Sequence, residues 1–368
     1  MLQNTIAAIR PLHAPAMEDC RRRIGNLTKP LNSLGDFEHL AVKLAGVTGQ
    51  SNPQAQQKSI ILMAADHGVA AEGVSAYPQQ VTAQMVANFC RGGAAINVFA
   101  DHVGAELVLV DVGVAAELTH LPGLVRAKVA YGTDNIAQGP AMTPLQAEEA
   151  ISVGIDVARR QLARGCRIIG LGEMGIANTT PSTAIIAAYS HRSVEFLTGR
   201  GTGLSADGLL YKQEIVRRAL AVNQPDANQP LDVLTKVGGL EMAGLVGVIL
   251  AAAAGRAVVV LDGLITCAAA LIACRLAPLV RDYLVGSHVS LEPAHAEALR
   301  LMDIPAYLQL DMRLGEGTGA ALGISLIDAS LHMLNDMKTF GETMVAVAED
   351  GPGALKQRRA NGNGKDRN

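Results

Sequence analysis

Four short runs of apolar, β-branched residues, separated by longer stretches with helical spacing, restrict this chain to a narrow set of folds. The runs are SIILMA (59–64), AELVLVDV (105–112), RIIGLG (its core at 168–172) and AVVVLD (257–262). They are bounded by Gly, Asp or Asn. Runs that are apolar throughout, rather than alternating, belong to strands buried on both faces, and alternation with helices makes such strands parallel. The expected class is α/β, a parallel Rossmann-like sheet with helices on both faces. Between the runs, GDFEHLAVKLAGVTG (35–49) sets Phe37, Leu40, Ala41 and Leu44 at helical spacing. Thr143-Pro144-Leu145-Gln146 combines an N-cap, a first-turn Pro and a capping-box Gln. It predicts a helix running to about Arg164 and stopped by Gly165. The 368 residues leave room for one large or two medium domains. With 49% hydrophobic residues, 3% aromatic residues and no Trp, small aliphatic side chains must fill the core.

Several function classes fall away. The net charge of −3 offers no basic face for nucleic acid, and so few aromatics offer no base-stacking platform. Five scattered cysteines (Cys20, Cys90, Cys166, Cys267, Cys274) contain no CxxC pair, which fits thiols in a reducing cytosol and a cytoplasmic protein. The N-terminus lacks the pattern of a signal peptide. Residues 238–280 are very apolar, but Glu241, Arg256, Asp262 and Arg275 interrupt them, so a buried helix and strand is expected and no membrane span. Residues 349–368 have no apolar period and are expected to form a disordered tail.

Ligands of parallel sheets bind beyond the carboxyl ends of the strands. Two acids fall there among glycines: Glu173 in GLGEMGIANTT (170–180) and Glu316 in MRLGEGTGAAL (312–322). Gly170-x-Gly172-x-x-Gly175 formally matches a dinucleotide fingerprint. However, Asn178-Thr179-Thr180-Pro181 resembles a helix start, later than that motif requires. The longer loop of backbone N–H groups suits a single phosphate. GRGTG (199–203) is a second glycine turn, followed by Lys212, a point charge for a phosphate or simply a solvated helix residue. In AVVVLDGLITCAAAL (257–271), Asp262 is followed by Gly263. The stretch resembles the turn that binds phosphoribosyl pyrophosphate in one class of phosphoribosyltransferases, but the second acid is missing, which disfavours a Mg²⁺–pyrophosphate substrate. His288, Glu292 and His295 do not form a helical metal motif, because Pro293 intervenes. In ADHGVAAEGVSAYPQQVTAQMV (65–86), Asp66, Tyr77, Gln84 and Met85 suit either a pocket for a flat heterocycle or ordinary packing.

Taken in order, ADHGVAAEGVSAYPQQVTAQMV, GEMGIANTT, GRGTG, KVGGLE (236–241), VVLDGLITCAAAL, SHVSLEP and MRLGEGTGAAL are similar to the nicotinate-nucleotide:dimethylbenzimidazole phosphoribosyltransferase family, from about Leu27 to Phe340. The resemblance implies transfer of 5-phosphoribose from nicotinate mononucleotide to dimethylbenzimidazole or a related base, with inversion from β to α, and no metal or cofactor. It implies Glu316 as general base and Glu173 beside it. For phosphate and ribose it implies Gly175, Ile176, Ala177, Asn178, Thr179, Thr180, Gly201, Gly203, Lys212, Asp262, Arg313 and Gly315. For the base it implies Asp66, Tyr77, Gln84, Met85 and Leu314. Tyr77 and Met85 depart from the family's Ser and Gln, and Leu31-Asn32 from its Pro-Gly, so the acceptor's identity stays open. The resemblance further implies a homodimer and a small helical domain, 1–27 with 322–348, beside a large catalytic domain, 28–321. Two other readings remain: an NAD-dependent oxidoreductase using GLGEMG, and a non-catalytic nucleotide-binding protein.

Overall fold

The structure, a computed structural model, describes residues 1–54 and 56–347. Its sheet has six strands: β1 (Gln57–Ala65), β2 (Glu106–Gly113), β3 (Leu124–Arg126), β4 (Cys166–Met174), β5 (Val258–Val260) and β6 (Leu284–Val285). All neighbours pair in parallel, in the order β3-β2-β1-β4-β5-β6. β1, β2, β4 and β5 are the four apolar runs of the sequence. β3 and β6, with three and two residues, are too short to carry a pattern. This order doubles back between β1 and β4, and the crevice beyond that switch point is where such sheets bind ligands. Ser59–Ala65 of β1 and Ile168–Glu173 of β4 are buried, as a strand covered on both faces must be.

The expected capping box is present. Thr143 Oγ1 accepts from Gln146 N at 3.2 Å and Gln146 Oε1 accepts from Thr143 N at 2.8 Å, starting helix Pro144–Ala163. That helix packs on Leu240–Ala254, the apolar stretch that resembled a membrane span. Every residue from Leu240 to Ala253 is buried, so the helix is apolar all round because protein surrounds it. No helix among the described residues is long and apolar enough to cross a membrane. The two helices touch backbone to backbone. A Cβ on Gly154 would overlap Gly244 O, and one on Gly247 would overlap Ile151 O. Gly247→Ala forces the helices apart and should destabilise the protein by ~1–3 kcal/mol, the usual cost of overpacking. A denaturant midpoint equal to wild type would show that this contact yields freely.

The chain divides into two units. One comprises Met1–Arg10 and Gln57–Ile324, and contains the sheet; the other comprises Pro11–Gln56 and residues 325–347. This differs from the expected boundaries of 27/28 and 321/322. Residues 1–10 fall with the large unit because helix Leu2–Ala8 packs on the two long helices, where Arg159 Nη2 donates to Thr5 Oγ1 at 3.1 Å. Residues 28–56 fall with the small unit because helix Asp36–Thr48 packs on Ala14–Ile24. Cys20, Ile24, Leu27, Ala41, Ala45 and Leu334 form part of that unit's core. The expected tail, 349–368, lies outside the described residues.

Candidate active site

The turns after β1, β4, β5 and β6 meet residues 313–316 around a cavity of about 370 Å³, within the range of small-ligand sites. The large unit contributes the whole wall.

The 315–317 turn has the most unusual backbone. Gly315, Glu316 and Gly317 all lie in the left-handed region, with φ of 86°, 63° and 93°. Glycine adopts this freely, but for glutamate it costs ~1–3 kcal/mol and must be imposed by the surroundings. Asp262, at the end of β5, imposes it: its Oδ2 accepts from Gly317 N at 3.0 Å and its Oδ1 from Gly319 N at 2.7 Å. The turn also presses on β4, since a Cβ on Gly172 would lie 2.5 Å from Glu316 O. A Cβ on Gly315 would lie 2.5 Å from Glu173 Oε1, so the glycines here let two acids share one wall.

The two acids differ in surroundings. Glu173, 5% exposed, accepts from Asn178 Nδ2 at 2.5 Å. Burial, with the nearby Asp262 charge adding to it, pushes its carboxyl up to about 8. Glu316, 7% exposed, is also pushed up by burial, but it accepts a 3.4 Å hydrogen bond from Ile96 N, in the first turn of helix Ala95–His102, which favours its charged form. Environments that separate two carboxyls in this way make one an acid and the other a base: Glu173 carries a proton near neutrality, and Glu316 is the better candidate to accept one.

The stretch of wall that follows Glu173, joined to it through Asn178, is the candidate for holding an anion. β4 gives way to Gly175–Asn178, with Ala177 at φ 75°, and the helix begins only at Thr179. Gly172 is still in the strand, so the helix start of a dinucleotide fingerprint is absent here. Lys212, fully buried, donates from Nζ to Thr179 Oγ1 at 2.7 Å; burial pushes its ammonium down to about 8, against the opposing pull of Glu292. A Cβ on Gly201 would lie 3.1 Å from that Nζ, and Gly201 N donates to Glu292 Oε1 at 2.8 Å.

Of the residues singled out in the sequence, Tyr77, Met85, Glu173, Gly175, Ile176, Asn178, Thr179, Gly201, Arg313, Leu314, Gly315 and Glu316 line the cavity. The others lie off the wall. Asp66 is buried, and its Oδ2 accepts from Ala115 N at 2.8 Å. Gln84 is exposed, one residue around the helix from Met85. Lys212 and Asp262 stand behind Thr179 and the 315–317 turn. Ala177, Thr180 and Gly203 are adjacent in sequence to lining residues but do not line the cavity themselves. The N–H of Ile176 is already donated to Thr82 Oγ1 at 3.1 Å. Thr202, Leu264, Ile265, His288, Ser290 and Glu292 also line the cavity and are not among the expected site residues. His288, Ser290 and Glu292 lie in SHVSLEP, Thr202 in GRGTG, and Leu264 and Ile265 in VVLDGLITCAAAL, all stretches that carry the family resemblance, but read residue by residue SHVSLEP raises only the question of a metal. His295 Nδ1 is taken by Ser290 N at 2.9 Å, and burial pushes its ring down to about 3.

A Rossmann-ordered sheet whose switch point offers an anion loop, no dinucleotide helix and a pair of buried carboxyls fits a phosphoribosyltransferase. A family model described as Phosphoribosyltransferase matches residues 9–345. Two relatives bear the name nicotinate-nucleotide–dimethylbenzimidazole phosphoribosyltransferase. One, from Chloroflexus aggregans, is 51% identical over 95% of this chain and 99% of its own. The other, from Geobacter sulfurreducens, is 49% identical over the same shares. The crystal structure of CobT from Thermus thermophilus is also similar, with a TM-score of 0.87 and 44% identity over 91% of this chain and all of that one. The chain belongs to the nicotinate-nucleotide–dimethylbenzimidazole phosphoribosyltransferase family.

Proposed function

We propose that this protein transfers the 5-phosphoribosyl group of nicotinate mononucleotide to 5,6-dimethylbenzimidazole or a related base, giving α-ribazole 5′-phosphate and nicotinate. The observation that carries the reading is the lining of one cavity: Gly175, Ile176, Asn178, Thr179 and Gly201, with Lys212 behind Thr179, together with Glu316 and Glu173.

The chemistry asks for little else. The unprotonated ring nitrogen of the benzimidazole attacks C1′ as the bond to the pyridinium nitrogen breaks. The pyridinium takes the bonding pair and leaves with an uncharged ring. The other benzimidazole nitrogen becomes acidic as its partner bonds to carbon, and Glu316 takes its proton. Positive charge developing at C1′ is stabilised by the carboxylate. Glu173, protonated near neutrality, donates a hydrogen bond to the ribose and backs Glu316. Asn178, Thr179, Gly201 and Arg313 meet the phosphate, with Lys212 supplying charge through Thr179. Tyr77, Met85 and Leu314 flank the acceptor's ring, and Asp66 supports the strand end from which that segment leaves. The leaving group is a pyridine rather than pyrophosphate, so no metal is needed to carry it away.

Purified protein given nicotinate mononucleotide and dimethylbenzimidazole, with chelator present, should release nicotinate and form a ribosylated benzimidazole phosphate by chromatography. No release with any benzimidazole, purine or phenol acceptor would leave a non-catalytic nucleotide-binding protein as the better reading. The large unit holds the cavity and is proposed as the catalytic domain. None of the five cysteines forms a disulfide, consistent with a cytoplasmic enzyme. A homodimer, which the family resemblance supports, is part of the proposal, and light scattering should then return twice the 38.3 kDa chain mass. A monomer mass would remove that part of the proposal.

A further inference from the structure

Thr202 stands between two left-handed glycines, Gly201 at φ 53° and Gly203 at φ 108°, at the tip of the 199–203 turn. Its hydroxyl oxygen reaches a segment 126 residues earlier in the chain: Oγ1 accepts from Ala76 N at 3.0 Å and lies 3.1 Å from Ser75 Oγ. Ser75 Oγ in turn accepts from Tyr77 N at 3.3 Å. Tyr77 is half exposed and lines the cavity. On its other side the turn is held by buried groups. Gly201 N donates to Glu292 Oε1, and the bare α-carbon of Gly201 leaves room for Lys212 Nζ and Thr179 Oγ1. One five-residue turn therefore touches the groups assigned to the phosphate and the loop assigned to the acceptor base.

We propose that Thr202 is a positioning residue for the acceptor: it fixes the Ser75–Tyr77 loop to the phosphate side of the cavity, so that a bound phosphoribosyl donor organises the pocket the base then enters. The inference rests on the transfer reaction proposed above. Its physical content is a coupling between two subsites. A phosphate held against Thr179 and Gly201 orders the turn, Thr202 passes that order to Ala76 and Tyr77, and the ring wall is set before the benzimidazole arrives. Such a coupling is reciprocal, so the base must strengthen donor binding by the same factor. Both hydroxyl contacts are exposed and individually weak, which suits a joint that ligands tip rather than one that is permanently closed.

The test separates the coupling from the reaction. Hydrogen exchange of the amides at 74–77 is followed in full-length protein, with and without nicotinate mononucleotide and, separately, inorganic phosphate. Either probe should slow exchange in wild type and in Thr202→Ser, which keeps the hydroxyl, but not in Thr202→Val, which keeps only the shape. Thr202→Val should also raise KM for the benzimidazole about five- to tenfold more than KM for nicotinate mononucleotide, the scale of a modest coupling. Ser75→Ala added to Thr202→Val should cost little further, as for two members of one contact. Equal slowing of exchange in wild type and Thr202→Val would overturn the proposal, as would no slowing in wild type. A wild type without turnover would sink the reaction but leave the exchange comparison to decide the coupling.

Discussion

Glu316→Gln should lower kcat at least ~10²-fold, the usual contribution of a positioned general base, while nicotinate mononucleotide still binds. Gln matches the volume of Glu and keeps an oxygen for Ile96 N, so the left-handed turn survives and the loss belongs to the missing base. The pH dependence gives a second readout. Glu316 works only when deprotonated, and burial raises its carboxyl above the ordinary range. The rate of the free enzyme, read as kcat/KM, should therefore fall on the acid side at a pH above that of an exposed glutamate. On the alkaline side it should fall again near 8, where Glu173 and Lys212 lose their protons. These limbs belong to the coupled cluster rather than to single residues. The donor's phosphate also titrates near ~6. It does so equally in both proteins, so an acid limb that disappears in Glu316→Gln is the enzyme's own. A variant with near-wild-type turnover, or with the same acid limb, would remove Glu316 from the base's role.

How far the sequence foretold this arrangement depends on the range of each interaction. β1, β2, β4 and β5 were legible because strands buried on both faces must be apolar at every position, and that pattern is local. The late start of helix Thr179–Tyr189 was legible for the same reason, since caps and first turns are written in adjacent residues. The contacts that build the cavity are not local. Asp262 reaches Gly317 across 55 residues, Glu292 reaches Gly201 across 91, and Thr202 reaches Ser75 across 127. The sequence marked Asp262 as an acid at a strand end, and the resemblance counted it with the phosphate and ribose residues; in the structure it stands behind the 315–317 turn, and its partners are backbone N–H groups that no side-chain pattern reveals. The apolar stripe of helix Asp36–Thr48 likewise announced a buried face without saying which neighbour covers it, and the domain boundaries shifted accordingly. Glu292 and His288 carried a visible signal, but their position beside the cavity depends on β6, a two-residue strand below the reach of periodicity.

The second large effect is expected at Asp262, a residue that touches no substrate in the proposed reaction. Both of its oxygens accept backbone N–H bonds, from Gly317 and Gly319, and these hold three consecutive left-handed residues in place. Asp262→Asn keeps the shape but turns an NH₂ toward one of those donors. A hydrogen bond to a charged group is lost and a donor faces a donor, at a cost of ~1.5–3 kcal/mol. The strained backbone at Glu316 then has less to hold it, and a displacement of about 1 Å at a reacting group is enough to cost ~10²-fold in rate. The same substitution removes a negative charge that pushes both Glu173 and Glu316 upward, so the acid limb of the pH profile should move to lower pH even as the rate falls. The combination is diagnostic. Loss of activity with the acid limb unmoved would mean that only geometry had changed, whereas a shifted limb at full activity would mean that the turn stands without Asp262. Unchanged turnover, pH profile and thermal midpoint together would refute the claim that this carboxylate holds the catalytic turn.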